Sequence, residues 1–232
     1  MQIIKAEDIS TPKTRCVLYA QAGMGKTSVA KILSEKYKTL VIDVDRSTVV
    51  LKGCKNIDIV YLDEDLKNLV ECVDFIEKNA KNYDLVFFDN ISQLEKNMLT
   101  AYGAKGKNDG VPAQGDYQKM QFKVYDYIKK ILLANTNVIL TSWEITGNTV
   151  NADSGEKGYR LEPQINNKII NYVLGLCNVV AHYEKKKTEE NTEKRFLRLS
   201  ASPYAYAKDQ INGRKWCELN ELLEGLSTES NS

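Results

Sequence analysis

Histidine is almost missing from this chain of 232 residues, in which His182 stands alone. That scarcity argues against a His-rich metal site and against a Ser-His-Asp triad. Net charge is scarce too, at +1, so no global field calls for nucleic acid and an anionic partner must be met by a local patch. The five cysteines, Cys16, Cys54, Cys72, Cys177 and Cys217, are odd in number, and no two have C-x-x-C spacing. They argue for reduced thiols in a cytosolic protein rather than a disulfide frame or a zinc site. No apolar run approaches the length of a membrane span. The start, Met1 to Asp8, holds no apolar signal core. A soluble, intracellular protein without membrane contact is expected. Only six arginines occur (15, 46, 160, 195, 198 and 214), and none is clustered in the chain as the lid of a small-molecule kinase would require.

What is present is ordinary in bulk and specific in detail. Hydrophobic residues make up 43% and charged residues 27%, as in a soluble globular protein with a core large enough to need no staples. One large domain over residues 1–226 is expected, with a disordered polar tail at 227–232. Short unbroken apolar runs at 15–19, 39–43, 57–62, 85–89 and 138–143 read as strands of a parallel sheet covered on both faces. Helical patterns at 26–37, 66–79, 92–102 and 117–134 alternate with them; Leu66, Leu69, Val70, Val73 and Ile76 form one such stripe. Such alternation predicts βαβ units and an α/β fold. Later, 165–176 reads as a helix, and 178–185 with 194–200 as a hairpin closed by a charged turn. A short amphipathic helix is predicted at 220–226.

The most specific string is Ala20-Gln21-Ala22-Gly23-Met24-Gly25-Lys26-Thr27, the pattern G-x-x-x-x-G-K-[ST] with Ala at the first position. An apolar run precedes it and a helical pattern follows, the strand–loop–helix setting that the motif requires. Backbone N–H groups of Ala22, Gly23, Met24, Gly25, Lys26, Thr27 and Ser28 would cradle phosphates at the positive end of the helix. Lys26 would reach the β- and γ-phosphates of ATP, and the Thr27 hydroxyl would hold Mg²⁺. The run Leu85-Val86-Phe87-Phe88-Asp89 offers the second magnesium residue, Asp89, at a strand end; the competing role for Asp89 is to cap the next helix.

Hydrolysis needs a residue to orient the attacking water. Many ATPases of the extended AAA class place Glu directly after the Walker B Asp, but here Asn90 follows. Asp43 and Asp45 at the end of the second strand, and Glu64 and Asp65 beyond the third, are the candidates, and Asp45 is favoured. Thr141 or Ser142 would face the nucleotide, with Glu144 opening the next segment. Trp143 is read as a packing residue. Two polar stretches, 103–115 and 144–159, read as long loops that are functional or mobile. Six lysines (105, 107, 119, 123, 129 and 130) and the tyrosines Tyr102, Tyr117, Tyr125 and Tyr127 allow contact with single strands, although tyrosines on an amphipathic helix also suit a core.

In these parts and their order the chain resembles a phage family of small RecA-like ATPases, the phage nucleotide-binding or AAA-domain proteins. That family includes single-strand annealing proteins related to RecA and RadA cores. The resemblance runs from about Ser10 to Trp216 and rests on the loop at 19–27, Ile42-Asp43-Val44-Asp45, 86–92, 140–144, 171–180 and Ala207-Lys208-Asp209. It implies a RecA-like P-loop NTPase core, a mostly parallel sheet flanked by helices with a C-terminal β-hairpin. It also implies ATP and Mg²⁺ as ligands and catalytic roles for Lys26, Asp45, Glu144 and Lys208, the last reaching a neighbour's γ-phosphate. The stretches 103–115 and 144–159 would be DNA-facing loops. Implied partners are single-stranded DNA, further copies in a ring or filament, and phage single-strand-binding or replication proteins in the bacterial cytoplasm. Gln210 stands where the family commonly has Arg, and Trp143-Glu144 where it commonly has His-Glu or Gln. The alternative is a nucleotide-switched module, such as a helicase loader, with little turnover.

Overall fold

Five runs rich in β-branched and aromatic residues form the centre of the sheet, and helical connections lie between them. The computed structural model describes Lys5 and residues 11–150, 157–187 and 193–224; the tail expected at 227–232 lies outside the described residues. In chain order the elements are β1 (Arg15–Ala20), α1 (Lys26–Leu33), β2 (Thr39–Asp43), β3 (Ile57–Tyr61), α2 (Leu69–Asn79), β4 (Leu85–Asp89), α3 (Ile91–Lys105), α4 (Gln114–Leu132), β5 (Asn137–Val150), β6 (Lys157–Pro163), α5 (Ile170–Leu176), β7 (Val179–Lys187), β8 (Glu193–Arg198), β9 (Lys208–Asp209) and β10 (Trp216–Cys217).

The sheet order is β10-β8-β7-β1-β5-β4-β2-β3. All pairs from β7 to β3 are parallel, while β8 and β10 continue the sheet antiparallel. This is the expected α/β class, a mostly parallel sheet flanked by helices with a C-terminal hairpin. β5 lies between β1, which leads into the Gly-rich loop, and β4, which ends at Asp89. The carboxyl ends of three neighbouring strands therefore converge on one place, as open α/β sheets do around ligands.

Period-two alternation divides the core into two layers. Phe88 faces α2, α3, α4 and α5, and Phe87 faces α1 and the C-terminal segment. Both phenylalanines are fully buried. Each contributes about 1.5–3 kcal/mol by leaving water.

Several elements depart from the expected bounds for visible reasons. Leu66 lies outside α2 with φ 57°, and Asn68 bonds Asp63 N and Tyr61 O at 2.9 Å each, so the helix starts at Leu69. The helix expected from 165 begins only at Ile170, because Asn166 Oδ1 accepts Lys168 N at 3.0 Å and holds a turn. The short helix expected at 220–226 is a 3-10 turn at Leu219–Glu221, and 225–226 lie outside the described residues. The loop expected at 103–115 is shorter than the whole stretch: α3 runs to Lys105, α4 begins at Gln114, and 106–113 connect them. Gly103 permits this, because a Cβ there would collide with the Gly110 carbonyl. The described residues of the stretch at 144–159 are strand rather than loop. β5 continues to Val150 and pairs antiparallel with β6, from Glu144 against Pro163 to Val150 against Lys157. Ile145, Thr146, Thr149 and Val150 favour strand, and they outweigh the Gly and Asn on which the loop reading rested. Residues 151–156 lie outside the described residues.

Candidate functional site

The loop after β1 is built for a ligand rather than for its own helix. Gly23 and Gly25 take φ 78° and 93°, where a side chain would be strained. Ala20, at the position of the motif's first glycine, is the last residue of β1 and pairs with Trp143, so it needs no such freedom. α1 starts with no side-chain cap and no acid in its first turn. Its free N–H groups and dipole are left to an anion. Lys26 is buried, and its Nζ donates to the carbonyls of Ala20 at 2.9 Å and Gln21 at 3.0 Å. Burial pulls its pKa down, against the charges of Asp89, Asp45 and Glu144.

On the β4 side, Thr27 Oγ1 donates to Asp89 Oδ2 at 2.6 Å, Ser47 Oγ approaches the same oxygen at 3.4 Å, and Thr141 donates to Asp89 Oδ1. Burial raises the pKa of Asp89, the two threonine hydroxyls oppose that shift, and the Asp45 charge adds to it. Asp89 does not cap α3. Asn90 does, accepting Gln93 N at 2.8 Å, so the Asp89 carboxylate is left for the loop. These hard oxygen donors fit Mg²⁺, which takes one or two protein oxygens and completes its shell with phosphate and water. Thr27 and Asp89 are the residues that would hold it.

The four candidate acids separate clearly. Asp43 is fully buried and accepts Asp45 N at 3.1 Å, Ser47 N at 3.3 Å and Thr48 Oγ1 at 2.8 Å, so it shapes the turn after β2. Asp45 accepts Asn90 Nδ2 at 2.9 Å on Oδ2, while its Oδ1 is buried without a partner. Asp65 pairs with Lys67 at 2.5 Å on the surface, and Glu64 is exposed.

A family model described as an AAA domain matches residues 12–211. The chain belongs to that AAA-domain family. Among solved structures it is similar to the flagellar accessory protein FlaH from Methanocaldococcus jannaschii, at 12% identity over 87% of this chain and 82% of that one, with a TM-score of 0.44. It is also similar to the RadB recombinase, at 11% identity over 84% and 89% with a TM-score of 0.43. A third is the uncharacterized protein PH0321 from Pyrococcus horikoshii, solved with an unknown peptide, at 11% identity over 83% and 86% with a TM-score of 0.45. Among curated proteins, none matches the chain.

The other flank of this AAA-domain site is an ion chain that sequence reasoning missed. His182, discounted as a lone histidine, bonds Glu144 Oε2 through Nε2 at 2.6 Å and Glu184 Oε1 through Nδ1 at 3.0 Å. Arg198 closes on Glu184, with Nη2 to Oε2 at 3.1 Å. Burial pushes Glu184 up, but hydrogen bonds from Arg198 and His182 leave it below the ordinary range. Tyr19 stacks on the His182 ring at 4.7 Å and donates to Tyr206 O at 2.7 Å. Glu144 is thus engaged by His182 at the root of the β5–β6 hairpin. Ser142 faces Ser92 at 3.1 Å, and Ser92 accepts Trp143 N at 2.9 Å. Of the Thr141 and Ser142 pair, Thr141 is the one at the acid.

Lys208 stands elsewhere. β9 pairs with the first residues of β7, and Lys208 Nζ donates to Leu174 O at 2.8 Å. Desolvation lowers its pKa. Tyr102, Tyr125 and Tyr127 pack against the core, and Tyr117 is exposed. Lys119 and Lys130 are paired with Asp116 and Asp126. Among the described residues, no helix is long and apolar enough to cross a membrane.

Proposed function

We propose that this AAA-domain protein is a phage RecA-like ATPase that acts on single-stranded DNA in recombination, annealing or replication. The observation that carries the ATPase reading is the convergence of Lys26, Thr27, Asp89 and Asp45, with one oxygen of Asp45 buried and free. Lys26 leaves the carbonyls of Ala20 and Gln21 for the β- and γ-phosphates. Thr27 and Asp89 would hold a magnesium ion, which would supply positive charge against the charge that develops during transfer. Asp45, oriented by Asn90, positions the attacking water through its free oxygen. Thr141 keeps Asp89 in place from the neighbouring strand.

Coupling to DNA rests on placement. The β5–β6 hairpin leaves the carboxyl edge at Glu144, beside the phosphate loop. α4 returns the chain to the amino edge, where β5 begins, so the α3–α4 connection also stands at the carboxyl edge, with Lys105 in electrostatic reach of Asp65. Tyr159 is exposed on β6. Glu144, held by His182, links the phosphate site to that hairpin. In a ring or filament, Lys208 would serve the site of a neighbouring copy. A nucleotide-switched loader with little turnover is the second reading. It is favoured by Asn90, which stands in place of the Glu that often follows a Walker B Asp.

ATP turnover with and without single-stranded DNA separates the two. A rise of 10-fold or more, on the order of 1.4 kcal/mol in the barrier, is expected. Flat and negligible turnover would favour the switch. DNA affinity should also fall steeply with salt through counterion release, and no binding at low salt would end the DNA reading.

A further inference from the structure

We propose that Arg195, carried on the β7–β8 hairpin of the same chain, is a nucleotide-contacting residue that reaches the α- and β-phosphates from above the phosphate loop. The inference rests on the nucleotide-binding reading above and adds a cation that the loop motif does not contain.

The hairpin continues β7 past the carboxyl edge of the sheet. Tyr19 pairs with His182, so the residues beyond it rise beside the loop that follows β1. Tyr183 pairs with Leu197, and Lys185 with Arg195. Tyr183 and Leu197 belong to the layer that contains α1, so by the strand's period Lys185 and Arg195 share that face. His182 and Glu184 take the opposite face with the ion chain. The geometry follows: a Cβ built on Gly25 would lie 3.2 Å from Arg195 Nη1 and 3.6 Å from Ser28 Oγ. Gly25 caps α1 and Ser28 lies in its first turn, where the loop backbone receives the α- and β-phosphates.

Charge and burial point the same way. Glu193 Oε1 is shared by Lys185 Nζ at 3.0 Å and Arg195 Nε at 3.6 Å. Among the described residues, one carboxylate between these two cations leaves surplus positive charge beside the loop. Beneath it, Tyr183 is 1% exposed, and its hydroxyl is buried without a hydrogen-bond partner. It stands close enough to Arg195 to raise the guanidinium pKa from its ordinary value. A planar guanidinium with several fixed donors suits phosphate oxygens, and ammonium does so less well.

The test is the affinity of the full chain for Mg-ATP and Mg-ADP, measured for the wild type, Arg195→Ala, Arg195→Lys and Lys186→Ala. Lys186 lies one residue along from Lys185, on the opposite face of the strand. Arg195→Ala should weaken both nucleotides about 10-fold, as loss of one charge-assisted bond implies. Arg195→Lys should fall between wild type and Ala, and Lys186→Ala should change affinity less than about 2-fold, as an exposed charge. Equal loss in Arg195→Ala and Lys186→Ala would show bulk charge only and overturn the proposal. So would loss confined to ATP, which would move Arg195 to the γ-phosphate. Wild-type binding with Arg195→Ala unchanged would overturn this proposal alone. No binding by the wild type would overturn the nucleotide reading itself.

Discussion

The two flanks of the phosphate loop are made of different chemistry. On the β2–β4 side stand Asp45, Asp89, Ser47, Thr141 and Asn90, an acidic and hydroxyl-lined wall in which one carboxylate oxygen lacks a partner. On the β7–β8 side, Glu144, His182, Glu184 and Arg198 engage one another in a closed hydrogen-bonded chain, and Arg195 leans over Gly25 from the outer face. The open flank suits a metal ion and a water. The closed flank suits holding a hairpin in one position. Lys26 lies between them and feels carboxylates from both.

The largest effect should come from the residue common to both flanks. Lys26→Ala should reduce ATP affinity at least about 100-fold, since a buried cation is lost from the phosphates. Equilibrium binding measures it, and normal ATP binding by a folded variant would refute the loop assignment. His182→Ala strikes the closed flank by leaving Glu144 buried and unpaired. It should cost about 3 kcal/mol of stability in urea unfolding, as breaking a buried pair does. A loss under about 1 kcal/mol would show that the chain contributes only as surface ion pairs do.

The smallest effect is a gain. Burial holds the Asp89 carboxyl above its unfolded value in the ligand-free protein. The folded state therefore binds the extra proton, and stability falls as pH rises from the unfolded value through the folded one. Asp89→Asn removes that cost at neutral pH. It should raise Tm by about 2–4 °C for about 1 kcal/mol, with the gain vanishing below about pH 4. The same variant should lose magnesium-dependent turnover. A lower Tm at neutral pH would mean that the Thr27 and Thr141 bonds to Asp89 outweigh its desolvation.

The open flank was legible in the sequence because its signals are local. Gly23, Gly25, Lys26 and Thr27 sit in one motif, and β2 and β4 end where their apolar runs end. Asp45 was within reach because it lies two residues past a strand. Asn90 was read only as a missing Glu, while its cap on α3 and its bond to Asp45 explain the residue. The closed flank was hidden because strand pairing makes it from distant segments. Nothing near His182 signals Glu144, which β1 separates from it in the sheet. The arginines are dispersed along the chain, and only hairpin register carries Arg195 to the loop. The β5–β6 hairpin looks like a loop in the sequence because its glycines and asparagines mask the β-branched residues that pair it.

The claim that the flanks divide binding from turnover is tested most directly by one paired experiment. ATP affinity and saturated turnover are measured for Asp45→Asn and Arg195→Ala, with single-stranded DNA present. The account predicts that Asp45→Asn keeps affinity within about 2-fold and loses about 10- to 100-fold in turnover, as removal of a water-positioning group implies. Arg195→Ala should lose affinity about 10-fold and keep its saturated turnover within about 2-fold. If both variants fall in the same parameter, the two flanks do not divide the work and the account is wrong.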